Sequence, residues 1–443
     1  MNQLEEKKSL INPIHLDALS GAVCAIEGIR DAVAVINGAS GCKYGISVLV
    51  DLQDPDGLEL PAGSSLRLGG QGRVPCTELT QDEIIFGTND KLRHTLKTMV
   101  DEYQPRLIGV INTCVVMAIG DDTAGAIRQL NSDCKILPIE GGRITGDVTE
   151  GFQRAVLQLV DNVMSQEVEL IERSVNLIGP CISQYNWNND LGELRRLLDQ
   201  AGVRIISTLT AGSYLQQLKN APQAALNVVT HDDYGTPIAQ YLKAKFGTPF
   251  IGSDTLLPYG MRETTSWLRL LAAQLDLDVE KIVHGETEVV EQRLIPQLKR
   301  LTTRHRLRGI PFAIFAEGPV CLSIASFLEE YLGLEPVLLG LKTVGQNTNA
   351  LLDTVLTQSN YTPQVLLKPD GFETQEVLKA TEPQLLLGSS LEKFLAYDAG
   401  VSSAFVGISY PVADEIMLTE RPFVGYKGVL TIAEKIINAV CLG

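Results

Sequence analysis

The sequence predicts an α/β protein in which consecutive parallel-sheet units are flanked by helices. Three observations point to it. The chain has 443 residues, which favours two to four domains of about 100–200 residues over a single core. Short β-type apolar runs such as Ala32–Ile36 and Leu107–Ile111 end in loops rich in Gly, Asn and Ser and alternate with amphipathic helical stretches. Finally, the order strand, Gly-Pro, helix, strand occurs twice, from Val175 through Gly179-Pro180 to Val203–Ile206 and from Pro311 through Gly318-Pro319 to Pro336–Leu339. One plan used twice is that of a Rossmann-like unit. With a first unit of similar alternation, three such domains are expected, at 1–168, 169–303 and 304–443.

In the first unit, residues 1–12 are polar and read as an arm. A helix is expected over Ala18–Ile29, where Ala18, Ser20, Gly21, Ala22, Ala25 and Gly28 allow close packing on a neighbour. Cys24 within it reads as core. The run Ala32–Ile36 leads into Gly38-Ala39-Ser40-Gly41-Cys42. Residues 51–75 hold Pro55, Gly57, Pro61, Gly63, Gly69, Gly70 and Gly72, a long loop by composition. Long loops inside compact domains are usually functional, and this one is expected to return Cys76 towards Cys42. Thr80-Gln81-Asp82-Glu83 is a capping box that opens a helix. Leu92, Leu96, Met99 and Tyr103 then mark an amphipathic helix with His94 on its wet side. Leu107–Ile111 ends in Asn112-Thr113-Cys114, Lys135–Ile139 leads to the loop holding Gly141-Gly142, and a helix over Phe152–Met164 closes the unit.

In the second unit the Val175 strand runs to Cys181, followed by a helix over Gly192–Ala201 and strands over Val203–Ile206 and Ala225–Val229. His231 stands at the last strand's end and reads as a hydrogen-bonded surface residue. Helices between Thr264 and Arg304 join the third unit. There a helix to Tyr331 carries Cys321, and strands are expected over Val365–Leu367, Gln384–Leu387 and Ala404–Ile408, with helices over Leu391–Tyr397 and Leu430–Val440. Cys181 and Cys321 read as structural, and Cys134 and Cys441 have no supporting context.

The balance of 37 basic to 53 acidic residues, a net charge of −16, argues against nucleic acid or an anionic membrane as partner. The N-terminus has no apolar signal core, and no run approaches the ~18–20 apolar residues of a membrane span. A cytoplasmic protein with reduced thiols is expected. There is no G-x-x-x-x-G-K-[ST] phosphate loop, no strand-linked G-x-G-x-x-G and no G-x-S-x-G, so ATP hydrolysis, dinucleotide binding and serine-hydrolase chemistry are not expected of this chain.

Cys42, Cys76 and Cys114 are the candidate metal ligands. They stand 34 and 38 residues apart, and the chain has no C-x-x-C, so only a folded domain can unite them. Cys42 and Cys114 follow the carboxyl ends of runs read as parallel strands, where open α/β sheets place ligands. Cys76 precedes a helix entry. A soft sulfur set of this kind suits iron–sulfur or zinc chemistry, although a free cysteine is more often a small core hydrophobe.

These same segments, Gly38-Ala39-Ser40-Gly41-Cys42, Cys76-Thr77-Glu78 through Gly87, and Thr113-Cys114 followed by Ile119-Gly120-Asp121-Asp122, resemble the three cluster-binding segments of nitrogenase component 1, in particular of its β-type subunit. A weaker likeness extends to Tyr410-Pro411-Val412-Ala413-Asp414 and Gly425-Tyr426-Lys427-Gly428. The resemblance implies that Cys42, Cys76 and Cys114 bind an eight-iron, seven-sulfur P-cluster shared with an α-type subunit. It also implies a heterotetramer of two chains of each type and a docking ATP-dependent reductase protein with a four-iron, four-sulfur cluster. The α-type subunit holds its active-site metallocluster through a central cysteine and a late histidine. Here no cysteine lies between Cys181 and Cys321, and residues 306–443 contain no histidine, so that cluster is expected on the partner chain and no catalytic residue is expected here. In α-type subunits the first cluster cysteine lies near the position of Cys24, which makes it a minor candidate.

The resemblance leaves the reaction open. β-type subunits usually carry a serine where Gly141 and Gly142 stand, and molybdenum-nitrogenase β subunits carry a long N-terminal extension. These departures favour a nitrogenase-like reductase, such as a methylthio-alkane reductase that cleaves carbon–sulfur bonds, over the β subunit of a dinitrogenase. A cofactor-assembly scaffold and a tetrapyrrole-reducing relative are the alternatives.

Overall fold

This computed structural model describes residues 16–43, 46, 49, 74–130, 132–139, 146–166, 168–302 and 307–441. The arm expected over 1–12, nearly all of the loop over 51–75, and Gly141-Gly142 lie outside the described residues.

The first unit contains α1 (Ala18–Glu27), β1 (Ala32–Asn37), α2 (Gln81–Phe86), α3 (Asn89–Tyr103), β2 (Leu107–Asn112), α4 (Cys114–Ile119), α5 (Thr123–Arg128), β3 (Lys135–Ile139) and α6 (Val148–Val163). Its sheet runs β1-β2-β3, all parallel. The small residues of α1 do what their size permits. A Cβ on Gly21 would lie 1.9 Å from Val148 O, and one on Gly151 would lie 1.8 Å from Ala18 O, so α1 and α6 touch backbone to backbone. Helix α3 buries Leu92, Leu96, Met99 and Tyr103, the predicted face, and leaves His94 exposed.

The second unit contains β4 (Ile171–Ile178), α7 (Trp187–Gln200), β5 (Arg204–Ser207), α8 (Leu215–Asn220), β6 (Ala224–Val229), α9 (Asp232–Phe246), β7 (Phe250–Ile251), α10 (Gly260–Leu275) and α11 (Glu280–Thr302). Its parallel sheet has the order β5-β4-β6-β7. Helix α7 starts five residues before its expected start at Gly192 because Asn186 adopts a left-handed conformation, φ 68°, and turns the chain directly into the helix.

The third unit contains β8 (Pro311–Ala316), α12 (Gly318–Phe327), β9 (Glu335–Leu341), α13 (Thr348–Gln358), β10 (Gln364–Leu367), α14 (Gly371–Thr381), β11 (Leu385–Gly388), α15 (Ser390–Asp398), β12 (Ala404–Gly407) and α16 (Gly425–Cys441). Its parallel sheet, β10-β9-β8-β11-β12, has the doubly wound order that reverses beside its first strand. Three parallel-sheet α/β units are therefore present, as the alternation predicts. Helix α16, expected to serve the third unit, packs on β12 of that unit but more extensively on α10, α11 and α7 of the second. The Tyr426 hydroxyl meets Thr265 Oγ1 at 2.7 Å, and Gly425 N donates to Pro258 O at 2.8 Å.

The units are joined by buried polar contacts. Asn347 N donates to Asp232 Oδ2 at 2.7 Å, Thr343 Oγ1 donates to Asp233, and Gln153 Nε2 donates to Asp233 O at 2.7 Å. Among the described residues no helix is long and apolar enough to cross a membrane.

Candidate metal centre

β1 and β2 run in register, Asn37 opposite Asn112, so the loops beyond both leave the same edge of the sheet. Beyond β1 the chain makes one 3-10 turn, Ser40–Cys42, with Cys42 N donating to Ala39 O at 3.0 Å. Beyond β2, Cys114 is the first residue of α4. Thr113 ties this entry to β1, its N–H and its hydroxyl donating to Asn37 O at 3.0 and 3.1 Å.

Cys76 arrives along the free side of β1, where Ile36 and Cys76 form a parallel bridge. Ile36 N donates to Pro75 O at 2.9 Å, Thr77 N to Ile36 O at 2.9 Å and Leu79 N to Gly38 O at 3.0 Å. The segment behaves as a short extra strand that delivers its cysteine to the same edge. It then enters α2 through the predicted capping box, in which Thr80 N donates to Glu83 Oε2 at 2.7 Å.

A polar brace lies beneath the three cysteines. Thr77 Oγ1 donates to Asn37 Oδ1 at 3.1 Å, Asn37 Nδ2 donates to Asn112 Oδ1 at 3.0 Å, and Asn112 Nδ2 donates to Thr123 Oγ1 at 3.0 Å. Gly38 is required at its centre. Its N–H donates to Thr77 Oγ1 at 2.9 Å, and a Cβ there would lie 2.3 Å from Thr113 Cγ2.

The thiols sense one another. The Cys42 thiol is pushed above its ordinary pKa by burial first, then by Cys114 and Asp17. The Cys76 thiol is also pushed up, again mainly by burial, with the charges of Glu78 and Cys42 adding to it and the Glu78 amide opposing it. Cys76 Sγ lies 3.3 Å from Gly38 O, to which the thiol donates, and accepts the Glu78 N–H at 3.4 Å. Both thiols thus favour the protonated form, and a cationic metal is what would convert them to thiolate ligands.

Cys42 and Cys76 are half-buried, while Cys114 is exposed. Among the described residues no three His, Cys, Asp or Glu side chains are gathered as one metal ion requires. Beside the three cysteines lie uncovered apolar side chains, Ile85 at 71 % and Phe86 at 86 % exposure on α2, with Met117 and Ile119 on α4.

The other cysteines lie elsewhere. Cys24, Cys181 and Cys321 are fully buried in the core. Ser183 Oγ donates to Cys181 Sγ at 3.1 Å, and burial pushes the Cys321 thiol well up. Cys134 sits half-buried at the edge of β3, its pKa raised to about 11 by burial.

His231 corrects an expectation. It is half-buried rather than exposed, stands at the N-cap position of α9 and lines a cavity with Gln184, Asp190, Tyr259 and Glu317. Its Nδ1 is 3.1 Å from Thr230 Oγ1, and burial holds its pKa down, to about 3. Sequence reasoning also passed over the buried carboxylates. Burial raises Asp190 and Asp233 to about 7, and it raises Glu317 as well. The only local signal was an acidic residue directly after a strand-like run, as in Ala316-Glu317-Gly318.

Residues 18–441 match the family described as nitrogenase component 1 type oxidoreductase. The nitrogenase iron-molybdenum cofactor biosynthesis protein NifE of Clostridium pasteurianum is 24% identical over 420 residues, covering 94% of this chain and 85% of that protein. The nitrogenase molybdenum-iron protein beta chain of Methanothermobacter thermautotrophicus is 22% identical over 478 residues, covering 99% of this chain and 96% of that protein. The solved structure of nitrogenase Cp1 at pH 6.5 superposes with a TM-score of 0.80 at 19% identity, over 97% of this chain and 93% of that one. The match over nearly the whole described chain, on the fold derived above, places this protein in the nitrogenase component 1 family of oxidoreductases.

Proposed function

We propose that this chain is the β-type, electron-relaying subunit of a nitrogenase-like reductase, with Cys42, Cys76 and Cys114 as its share of the ligands to an interfacial P-cluster. The reading rests on one observation: three cysteines far apart in sequence reach one sheet edge, from a 3-10 turn, a helix start and a strand-like segment. When bound, such a cluster supplies reversible low-potential electron transfer. This chain's own residues supply the setting. The Asn37–Thr77–Asn112 brace fixes the edge, and the backbone beside Cys76 orients its sulfur. The uncovered flank of α2 and α4 is for an α-type partner to bury, which would exclude water from Cys114. The α-type partner would hold the active-site metallocluster, and an ATP-dependent reductase protein would deliver electrons. Domains at 1–168, 169–303 and 304–443 are part of the same proposal, which the presence of three sheets supports. Reductive carbon–sulfur cleavage of methylthio-alkanes is the favoured reaction.

A cofactor-assembly scaffold is the second reading. It is favoured by the similarity to the cofactor biosynthesis protein at 24% identity.

The test is anaerobic purification with the partner chain, followed by iron analysis and EPR, for wild type and Cys76→Ala. About eight irons per interface are expected in the wild type, against about four for a tetrapyrrole-type cluster. The Cys76→Ala complex should lose iron and turnover while keeping its melting temperature. Unchanged iron and activity would remove the ligand assignment. An iron-loaded wild-type complex without turnover would favour the scaffold.

A further inference from the structure

The strand order of the third sheet reverses between β8 and β11. In open parallel sheets that reversal leaves a crevice beyond the carboxyl ends of the strands, the usual position of a ligand. Here the crevice opens into a pocket of about 440 Å³, inside the ~300–1,000 Å³ range of small-molecule sites. The strand ends furnish its charged wall, Glu317 after β8, Lys342 after β9, Lys368 after β10 and Glu392 beyond β11. The start of α6 faces them from the first unit through Asp147 and Val148. Leu391 and Leu395, one turn apart on α15, and Tyr410 add an apolar wall.

The charges are nearly all committed. Lys342 Nζ donates to Glu392 Oε2 at 3.0 Å and to Ser409 Oγ at 3.2 Å. Lys368 Nζ donates to Asp147 Oδ2 at 2.6 Å. Glu150 faces Arg154 at 3.8 Å. Asp17 caps α1, accepting from Ser20 N and Oγ at 2.9 and 2.8 Å. No lysine is left to receive an anion. Glu317 differs from the other carboxylates. It is 9 % exposed, and the side-chain hydrogen bond it accepts, from Ser409 Oγ, is long at 3.4 Å. The cation nearest to it, Lys342, is already bonded to Glu392 and Ser409, and a buried carboxylate left with a long side-chain hydrogen bond favours a further donor brought in from outside.

We propose that this pocket binds a small organic amine, its apolar body against Leu391, Leu395 and Tyr410 and its cationic nitrogen on the Glu317 carboxylate. The site belongs to this chain alone and does not depend on the cysteine cluster, so it stands apart from the electron-relay reading.

The test compares two probes of one skeleton and opposite charge, 4-phenylbutylamine and 4-phenylbutyrate, titrated calorimetrically into the full chain purified with its partner. The amine should bind, and the acid should bind at least about tenfold more weakly, the ratio a 1.4 kcal/mol difference gives. Glu317→Gln keeps the shape and removes the charge, and should weaken the amine about tenfold. Leu391→Trp should fill the apolar side and abolish binding. Thermal melts verify that both variants fold. If Glu317→Gln does not fold, the amine–acid ratio and Leu391→Trp decide. Equal binding of the two probes, no binding of the amine, or full amine affinity in either folded variant would overturn the proposal.

Discussion

The carboxyl edges of the first and third sheets occupy equivalent places in two parallel-sheet units, yet they are finished in opposite ways. At the first edge stand three thiols, with Cys114 exposed and the apolar side chains of α2 and α4 uncovered beside it. At the third stand carboxylates and lysines, roofed by the start of α6 and by Tyr410-Pro411. Strand order determines where a crevice forms. The side chains at the strand ends, and whatever covers them, determine what the crevice can hold. The third edge is completed within the chain. In the proposed reading the first is completed by a second polypeptide.

The comparison is tested hardest at the closed edge. Lys342 is the cation between Glu392 and the Glu317 side of the pocket. Lys342→Met keeps the apolar stem and removes the charge. It leaves Glu392, which caps α15 through Ser389 N at 2.7 Å, without its partner. Breaking a largely buried pair in this way should cost about 3 kcal/mol, read as a fall in the urea midpoint at unchanged slope. A loss below about 0.5 kcal/mol would mean that solvent already screens this edge as it does a surface pair.

Gly38→Ala sharpens the same comparison at the open edge. The new methyl would meet Thr113 Cγ2 at the point where the brace supports both Cys76 and Cys114. Overpacking of this kind typically costs about 1–3 kcal/mol. The larger consequence is geometric, because Thr113 immediately precedes Cys114 and the Gly38 carbonyl holds the Cys76 thiol. Iron content should fall more steeply than stability. Iron retained in full despite a measurable loss of stability would show that the edge tolerates displacement and that the brace does not position the thiols.

The two edges were also unequally legible in the sequence. The first could be read because its signals are local: Gly and Asn after β-type runs, and Thr80 three residues before Glu83, which forms the capping box as expected. Strands β11, β12 and β10 begin and end within one residue of their expected positions for the same reason. The third edge could not be read, because its wall is collected from the ends of four strands together with α6, which is more than 200 residues away in sequence from Lys368. The Asp232–Asn347 contact that joins the second and third units likewise spans 115 residues. The cavity that His231 lines could not be foreseen, because Tyr259 and Glu317, which line it too, are distant in sequence. Helix α9 was missed because Pro237 interrupts its pattern, although the fold tolerates it there.

The smallest effect on the chain itself is expected from the substitution that best separates an open edge from an unfinished one. Phe86 is the last residue of α2 and, at 86 %, more exposed than Ile85, Met117 or Ile119 on the thiol-bearing flank. Because it is so exposed, Phe86→Asp should leave the chain's stability within about 0.5 kcal/mol of wild type. An aromatic anchor in a partner interface is worth far more. A carboxylate buried in its place should weaken assembly with the α-type partner at least about tenfold, measured as the dissociation constant of the purified chains. Since Cys114 stands exposed on the same flank, weaker assembly should also lower the iron retained at equal protein concentration. If Phe86→Asp assembles as tightly as wild type, the apolar flank of α2 is not the surface that the second chain covers, and the contrast between the two edges would have to rest on Met117 and Ile119 of α4 alone.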